Sequence, residues 1–452
     1  MKNKIAGFII ILLTLFSCGD DPITPNPTGS QQYGTPLVNV PNVDKATIYE
    51  VNLRALSSEG NLQGVLSKLD HIKSLGTNII WLMPIYEQGS VNSVGSPYCV
   101  KNYQKISPEY GTLEDLRALT DQAHAMGMAV ILDWVANHTA WDHPWINEHP
   151  EWYSQNANGQ IIIPPGTNWN DVADLNFNQQ DMRKAQIEAM KYWVLEANID
   201  GFRCDYADGV PFDFWNDAIT QIKALPNRDI IMLAEGSRAD HYQAGFDLTY
   251  GWNYYSTLKN VFNGAATSTL SSTHQQEYAT IPNSRGKVRF TTNHDESAWD
   301  ASPMTLFGGK NGATAASVIN LFSGGVPLLY TGQEVGKTGT TPFFTNSNIN
   351  WSANADMLTA YQKIYLIYKN NTAARSKNIS SYQISNDMVC WKKTVGDTSL
   401  LILVNVRNNS INISLPSILT GNFTNLVNDQ IETINSNFTL GPFAYRIYKM
   451  NN

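Results

Sequence analysis

The chain has 452 residues, of which 42% are hydrophobic and 15% are charged, a balance typical of a globular protein with a large core. Its formal net charge is −8 and no basic cluster stands out, which argues against nucleic acid as a partner. A chain of this length commonly holds two or three domains.

The first 43 residues indicate targeting rather than fold. Lys2 and Lys4 precede an apolar run over 5–16, which is typical of a signal peptide. Residues 15–18 resemble a bacterial lipobox, which predicts cleavage before Cys18 and lipid attachment to it; an ordinary signal peptide with a chance cysteine is the alternative. Residues 19–43 are rich in Pro, Thr, Asn and Gln and predict a flexible tether.

From residue 44 to about residue 375, apolar strands alternate with helices. Strands are predicted at 46–56, 78–83, 128–135, 200–208, 230–234, 245–249, 287–292 and 326–330. Helices are predicted at 62–75, 112–127, 180–197, 213–225, 254–262, 268–278, 312–322 and 357–369. Because continuous apolar strands between helices indicate a parallel sheet buried on both faces, the sequence predicts an α/β fold, a (β/α)8 TIM barrel.

Two further segments depart from this alternation. A loop-rich stretch at about 138–178 is too long for an ordinary connection, and we expect an inserted functional domain there. From 376 to 452, short alternating strands are separated by Asn, Gly and Ser. They predict a C-terminal antiparallel β domain of the sandwich type.

Acidic residues follow the predicted strands at one end. Asp133 ends the third strand, Asp205 the fourth, Glu235 the fifth and Asp295 the seventh. The carboxyl ends of barrel strands form one face, and barrel enzymes carry their active sites on it. Three carboxylates on one face indicate glycosidic chemistry, which needs one carboxylate as nucleophile and one carboxylic acid as proton donor.

The roles of these acids follow from their neighbours. Arg203 and Asp205 are two residues apart on a strand and share a face, so Arg203 is expected to lower the pKa of Asp205 and keep it ionised as a nucleophile. A purely structural ion pair is the alternative. Glu235 follows five apolar residues, and poor solvation there is expected to raise the pKa of an acid/base group. Asp295 would bind substrate hydroxyls, and Asp133 would only organise Arg203.

The motifs resemble those of the α-amylase family, glycoside hydrolase family 13. Four regions match in order: 133–138 (DWVANH), 201–205 (GFRCD), Glu235 and 290–295 (FTTNHD). The short stretch 174–176 resembles the motif of the family's inserted domain, and 325–334 resembles that of its last strand. Tyr98 and Tyr103 resemble its tyrosine loop.

The resemblance implies a retaining glycoside hydrolase that cleaves α-1,4-glucosidic bonds of starch, glycogen or malto-oligosaccharides. It implies Asp205 as nucleophile, Glu235 as acid/base and Asp295 as transition-state stabiliser. The substrate-binding residues implied are Tyr98, His138, Arg203 and His294, with the two histidines as neutral or cationic donors. Asn137 and Asp174 match two ligands of the family's structural Ca²⁺, and no organic cofactor is expected.

One departure and three readings remain open. Asp208 and Gly209 stand where many starch amylases carry Lys-His, which puts an aglycone-side sugar contact and one calcium ligand in question. The chain could be a hydrolase, a glucan glycosyltransferase with the same machinery, or a surface glucan-binding protein that has lost catalysis. With the lipid on Cys18, the expected location is the bacterial cell envelope, at the outer membrane, on its surface or its periplasmic face. Other glycan-uptake proteins would be natural partners there.

Overall fold

The computed structural model describes residues 30–450, so the signal peptide, Cys18 and the first part of the tether lie outside the described residues. Eight parallel strands form a closed barrel: β1 (Ile48–Val51), β2 (Ile79–Leu82), β3 (Ala129–Trp134), β4 (Gly201–Cys204), β5 (Ile231–Ala234), β6 (Leu248–Tyr250), β7 (Gly286–Arg289) and β8 (Val326–Tyr330). Each strand pairs with its neighbours in sequence, and β8 closes on β1. The predicted (β/α)8 barrel is confirmed.

The barrel strands are buried on both faces, because other strands' side chains cover the inner face and helices cover the outer face. Inward-facing residues such as Ile48, Trp81 and Leu328 form one apolar cluster, and the opposite faces pack against the surrounding helices. In the register, Asp133 of β3 lies beside Arg203 of β4, and Arg203 lies beside Leu233 of β5. This register brings the polar ends of β3, β4 and β5 to one place.

Helices surround the barrel, and their bounds follow the apolar periodicity of the sequence. The helices are Leu53–Leu56, Leu62–Ser67, Leu69–Ser74, Leu113–Ala125, Gln180–Glu196, Phe212–Lys223, His241–Ala244, Trp252–Phe262, Ser268–Tyr278, His294–Trp299, Pro303–Leu306, Gly309–Phe322, Ala355–Asn370 and Thr372–Arg375. The predicted 62–75 helix is interrupted at Lys68. Thr112 and Asp115 form a reciprocal capping box, which satisfies two backbone N–H groups at the start of Leu113–Ala125.

The insertion after β3 is small and loop-rich, as the sequence predicts. Strands His138–Ala140 and Val172–Asp174 pair antiparallel, with His138 opposite Asp174. Helix Trp145–Glu148 and a 3₁₀ turn, Pro150–Trp152, lie between them. The segment after β2, which carries the tyrosine loop, forms a hairpin of Tyr86–Gln88 with Val100–Ile106. The pairing register of its strands is irregular, and buried and exposed residues do not alternate regularly along them.

The C-terminal region forms antiparallel sheets. Six strands pair in one sheet and two, Ile411–Ser414 and Asn437–Leu440, in a second: the six are Ser380–Ser381, Met388–Val395, Thr398–Asn405, Gly421–Asn425, Gln430–Ile434 and Tyr445–Met450. Residues of both sheets share one apolar cluster, which includes Leu401, Ile413 and Leu440. Lys393, in strand Met388–Val395, contacts the helices around the barrel: its Nζ donates to the carbonyls of Phe322 and Ala374 at 2.7 Å each.

The flexible tether predicted for 19–43 is wrong for residues 30–43, which pack on the barrel. The Tyr33 N–H donates to the Leu195 carbonyl at 2.8 Å, and the Tyr33 hydroxyl donates to Asp121 at 2.6 Å. Val40 and Val43 then cover the apolar cluster inside the barrel. The polar composition of residues 30–43 suggested a free segment. A few apolar side chains are nevertheless enough to bind it to the end of the barrel where the strands begin.

Candidate active site

A single buried guanidinium organises the carboxyl ends of β3, β4 and β5. Arg203 Nη1 donates to Asp133 Oδ1 at 2.8 Å and to Asp205 Oδ1 at 2.9 Å, and its Nη2 lies 3.0 Å from Glu235 Oε2. Arg203 is fully buried, whereas the side chains of Asp205 and Glu235 are 13% and 18% exposed. The cation is therefore hidden behind the acids that it holds, and only the acids face the cleft.

The predicted lowering of the Asp205 pKa is wrong in its net direction. Burial raises the pKa of Asp205 well above its usual range, and although Arg203 opposes the rise, Glu235 and Asp133 add to it. The sequence pattern pairs one acid with one arginine, but the fold gathers several acids around that arginine, and like charges favour the protonated form. The 2.9 Å contact with Arg203 opposes this rise and favours the ionised form of Asp205 that a nucleophile needs.

Asp133 has the structural role that the sequence predicts. It is fully buried, and its Oδ2 accepts hydrogen bonds from Trp81 Nε1 at 3.2 Å and from the Tyr98 hydroxyl at 3.1 Å. Burial raises the pKa of Asp133 to about 6, with Arg203 opposing the rise. Asp133 thus fixes Arg203 on one side and Tyr98 on the other without facing the cleft.

His294 is held between two acids and a tyrosine. Its Nδ1 lies 2.5 Å from Glu50 Oε1, and its Nε2 lies 2.8 Å from the Tyr98 hydroxyl and 3.2 Å from Asp295 Oδ2. The Tyr98 and His294 rings stack at 5.5 Å between centroids. Glu50 was not predicted, although an acid inside the apolar strand IYEV was a usable signal, since buried charges need a partner.

Asp295 lies on a helix rather than at the end of β7. The strand stops at Arg289, and Asp295 is in the first turn of His294–Trp299, where the Asn293 side chain accepts from the Glu296 N–H at 2.9 Å. Burial raises the pKa of Asp295 to about 7, and Glu235 adds to the rise. Its side chain is 37% exposed and lines the cleft.

The backbone after Asp205 is strained at Tyr206, and this strained conformation provides a hydrogen bond to Glu235. Tyr206 has φ 41°, in the left-handed region that residues with a side chain rarely adopt. This conformation aims the Tyr206 N–H at Glu235 Oε2, at 2.7 Å. A Cβ at Gly209 would come within 2.3 Å of the Tyr206 ring and 2.9 Å of Asn137 Oδ1, so the turn requires glycine at position 209. The sequence offered no signal for either feature.

Asp208 serves the loop behind Glu235 rather than the cleft. Its carboxylate accepts from His241 Nε2 at 2.7 Å and from the Ser237 N–H at 3.0 Å. Burial alone would raise its pKa, but these hydrogen bonds lower the pKa of Asp208 to about 2. Where the family's pattern has Lys-His, this chain thus has a half-buried carboxylate that anchors residues 237–241.

The carboxylates open into a cleft of about 630 Å³. Tyr98, His138, Asp205, Glu235, His294 and Asp295 all line it, so the predicted site residues come together, with Arg203 buried behind them. Burial lowers the pKa of His138 to about 4, so it is a neutral hydrogen-bonding group near pH 7 and not a cation. Trp169, Tyr206, Trp299, Phe343 and Phe344 also line the cleft, and sequence patterns had not singled them out as site residues.

Several predicted candidates lie elsewhere. Tyr103 is buried in the hairpin and donates to the carbonyls of Val135 and His138 at 2.8 and 3.0 Å, so it supports the site from behind. Trp145, in the insertion, packs against Tyr103 and Trp152 and so belongs to the insertion's aromatic core rather than to the cleft.

Asn137 and Asp174 line a separate cavity of about 390 Å³ on the inserted domain's side. Burial raises the pKa of Asp174 to about 6, a rise that a bound cation would reverse. Across residues 30–450, no group of three or more His, Cys, Asp or Glu side chains is placed to hold a metal ion. The oxygen donors fit a hard cation such as Ca²⁺, but most of its ligands would have to be carbonyls or water.

Comparison with known proteins agrees with this geometry. The family model described as the α-amylase catalytic domain matches residues 29–168 and 152–390. The crystal structure of an α-amylase from Lactobacillus plantarum superposes with a TM-score of 0.82 and 32% identity, covering 90% of this chain and 99% of that one.

Two further relatives differ in their named activities. "Alpha-amylase 2" of Dictyoglomus thermophilum is 25% identical over 426 residues, 89% of this chain and 72% of that protein. An α-1,4-glucan:maltose-1-phosphate maltosyltransferase of Rhodospirillum rubrum is 28% identical over 429 residues, 85% of this chain and 60% of that protein. The chain therefore belongs to the α-amylase family and is an α-amylase-type glycoside hydrolase.

Proposed function

We propose that the protein hydrolyses α-1,4-glucosidic bonds of starch, glycogen or malto-oligosaccharides with retention, through a covalent glycosyl–Asp205 intermediate. The observation that carries this proposal is the sharing of Arg203 by Asp205 and Glu235, at 2.9 and 3.0 Å. Two acids on one guanidinium are held close together, which favours the retaining separation of about 5–5.5 Å over the wider inverting one.

The chemistry proceeds in two displacements. Asp205 attacks the anomeric carbon while Glu235 gives its proton to the departing glycosidic oxygen. Glu235, now ionised, then takes a proton from water, which displaces Asp205 from the sugar. Asp295 and His294 lie where they could bind hydroxyls of the same glucose ring, with His294 oriented by Glu50. The buried Arg203 stabilises the carboxylate that each step regenerates.

Product analysis with maltoheptaose tests the reaction. We expect residues 19–452 to release only shorter sugars, with the α-anomer appearing first by NMR, while the Glu235→Gln variant prepared in parallel releases none. Early products longer than seven units would establish a glycosyltransferase instead, the activity named for the Rhodospirillum relative. A β-anomer as first product would contradict the retaining mechanism, and no turnover would contradict the α-1,4-glucan substrate.

We propose a structural Ca²⁺ at the cavity of Asn137 and Asp174, with Asp174 as its carboxylate ligand. A ligand at 100 times its Kd stabilises the fold by about 2.7 kcal/mol. We therefore expect a higher melting temperature in calcium than in EDTA, and we expect Asp174→Asn to abolish the difference. Equal melting temperatures of the wild-type protein in the two buffers would refute the site.

We also propose that Cys18 carries a lipid that anchors the protein to the bacterial cell envelope. The basic start, the apolar run and the lipobox-like residues 15–18 support this. In residues 30–450, no helix is both long and apolar enough to cross a membrane. The full chain should fractionate with membranes and a Cys18→Ser variant should not; equal partitioning of the two would argue against a lipid at Cys18.

A further inference from the structure

One rim of the cleft is apolar and open to solvent. Trp299 lines the cleft with 66% of its surface exposed, and Val94, which also lines it, is 55% exposed. Phe344 completes the rim. Tryptophan is among the largest apolar side chains, and exposed apolar patches on soluble proteins commonly mark binding surfaces.

The rim is rigidly built. The Thr341 N–H donates to the Ser297 carbonyl at 3.0 Å, which ties the loop after β8 to the helix that ends at Trp299. The rings of Phe343 and Phe344 meet Trp299 edge-on, at 6.0 and 5.5 Å between centroids. The exposed indole is therefore pre-positioned, so binding to it would cost little conformational entropy.

A second contact fixes the loops behind the rim. Arg54 Nη1 donates to the carbonyls of Gly95 at 2.6 Å and Phe343 at 2.8 Å. One cation thus joins the loop that carries Val94 to the loop that carries Phe343 and Phe344.

The neighbours of the rim place it relative to the cleavage point. Glu235 must stand beside the leaving group, so the wall around Tyr206 and Trp169, whose rings meet at 5.2 Å, lies on the aglycone side. Trp299 instead adjoins the residues proposed to bind the attacked glucose ring, because it follows Asp295 by four residues and Phe343 links it to the His294 ring, 5.1 Å away between centroids. The apolar rim therefore extends the glycone side of the cleft.

We propose that Trp299, backed by Phe343 and Phe344, stacks on a glucose ring of the bound glucan. That ring lies on the glycone side, beyond the glucose unit whose glycosidic bond is cleaved. This inference rests on the proposed α-glucan hydrolase function. The C–H-rich face of a pyranose can cover the indole and remove both surfaces from water. The enzyme then selects substrates that place two or more glucose units before the cleaved bond, and the product from the glycone side has at least that length.

The experiment measures the release of p-nitrophenol from p-nitrophenyl α-glycosides of one, two and three glucose units, so every cleavage counted has the same leaving group and the substrates differ only on the glycone side. For the full-length protein we expect kcat/KM to rise along the series. In Trp299→Ala the ratio of kcat/KM for the trisaccharide to that for the monosaccharide should fall about tenfold, the effect of 1.4 kcal/mol. Because the ratio cancels any loss common to all substrates, a disturbance of the neighbouring Asp295 does not imitate this result.

Two matched variants complete the test. Trp299→Phe keeps an aromatic face but no indole N–H, and its ratio should stay within about threefold of the wild-type ratio. Trp169→Ala removes the aromatic side chain that packs on Tyr206, and its ratio should match the wild-type ratio because the leaving group is unchanged. An unchanged ratio in Trp299→Ala, or a wild-type kcat/KM that does not rise along the series, would contradict the stacking of Trp299 on a glucose ring. Neither result would contradict the proposed hydrolase function. Failure of the wild type to cleave any of the glycosides or maltoheptaose would overturn both.

Discussion

Asp205→Asn, Glu235→Gln and Asp295→Asn are each expected to lower the turnover of maltoheptaose by at least about a thousandfold. Loss of a positioned proton-transfer group alone costs about 10²–10⁴ in rate, and loss of the nucleophile removes the covalent path. The measurement is the initial rate of reducing-sugar release by purified variants. Asp181→Asn, on an exposed helix turn where the carboxylate pairs only with Lys184, is the matched control and should keep the wild-type rate.

The same variants should not unfold the protein. Burial and neighbouring acids raise the pKa values of Asp205 and Asp295 above the ordinary value of 3.8. A carboxyl group whose folded pKa is raised stabilises the fold below its unfolded pKa, and this contribution is lost as pH rises through the folded value. For Asp295 that loss falls between about pH 4 and pH 7. Melting temperatures of the Asn variants at pH 8 should therefore equal or exceed that of the wild type; a large drop would mean that lost activity reports unfolding.

An activated substrate separates the two principal acids. Fluoride leaves without a proton, so Glu235→Gln should still react with α-maltosyl fluoride and accumulate a glycosyl ester that mass spectrometry locates on Asp205. Asp205→Asn should not react by this route. Label on any other residue, or turnover by Asp205→Asn comparable to the wild-type rate, would contradict the assignment of the nucleophile.

The second large effect is expected for Arg203→Leu, which should destabilise the fold by about 3–5 kcal/mol and abolish turnover. The substitution leaves Asp133, Asp205 and Glu235 without their shared cation in a buried site, and an uncompensated buried charge has about this cost. Urea denaturation at pH 7.5 measures the change. The deficit should shrink at pH 5, because the pKa of Asp133 is about 6 and its protonation removes one of the unpaired charges.

Two control variants test whether the loss of stability in Arg203→Leu comes from the acids left without their cation. Arg183→Leu removes a largely buried arginine whose partner, Asp213, is 67% exposed, so it should cost about 1 kcal/mol or less. Adding Asp133→Asn to Arg203→Leu should recover part of the lost stability, since it removes the fully buried partner. A cost below about 1 kcal/mol for Arg203→Leu, or no recovery in the double variant, would mean that the guanidinium does not hold the three acids together.

Local patterns predicted the barrel well because barrel strands have an unusual composition. Runs such as IIWL and VPLLY are apolar on both faces, and β8 is observed with the predicted bounds. The hairpin after β2 and the strands over 421–440 have no such pattern in the sequence. Their burial is irregular, since each touches the core with only part of its length.

Taken alone, the sequence determined the order of the elements, the inserted domain, the family motifs and the acids at the ends of β3, β4 and β5. Those features depend on residues near one another in the chain, where hydrophobic periodicity acts. Only the tertiary structure decided that Asp205 has a raised rather than a lowered pKa, that Glu50 orients His294, and that Trp299 stands exposed beside the cleft. Each of these depends on groups brought together from distant strands, because charge interactions and solvation are set by distance in space and not along the chain.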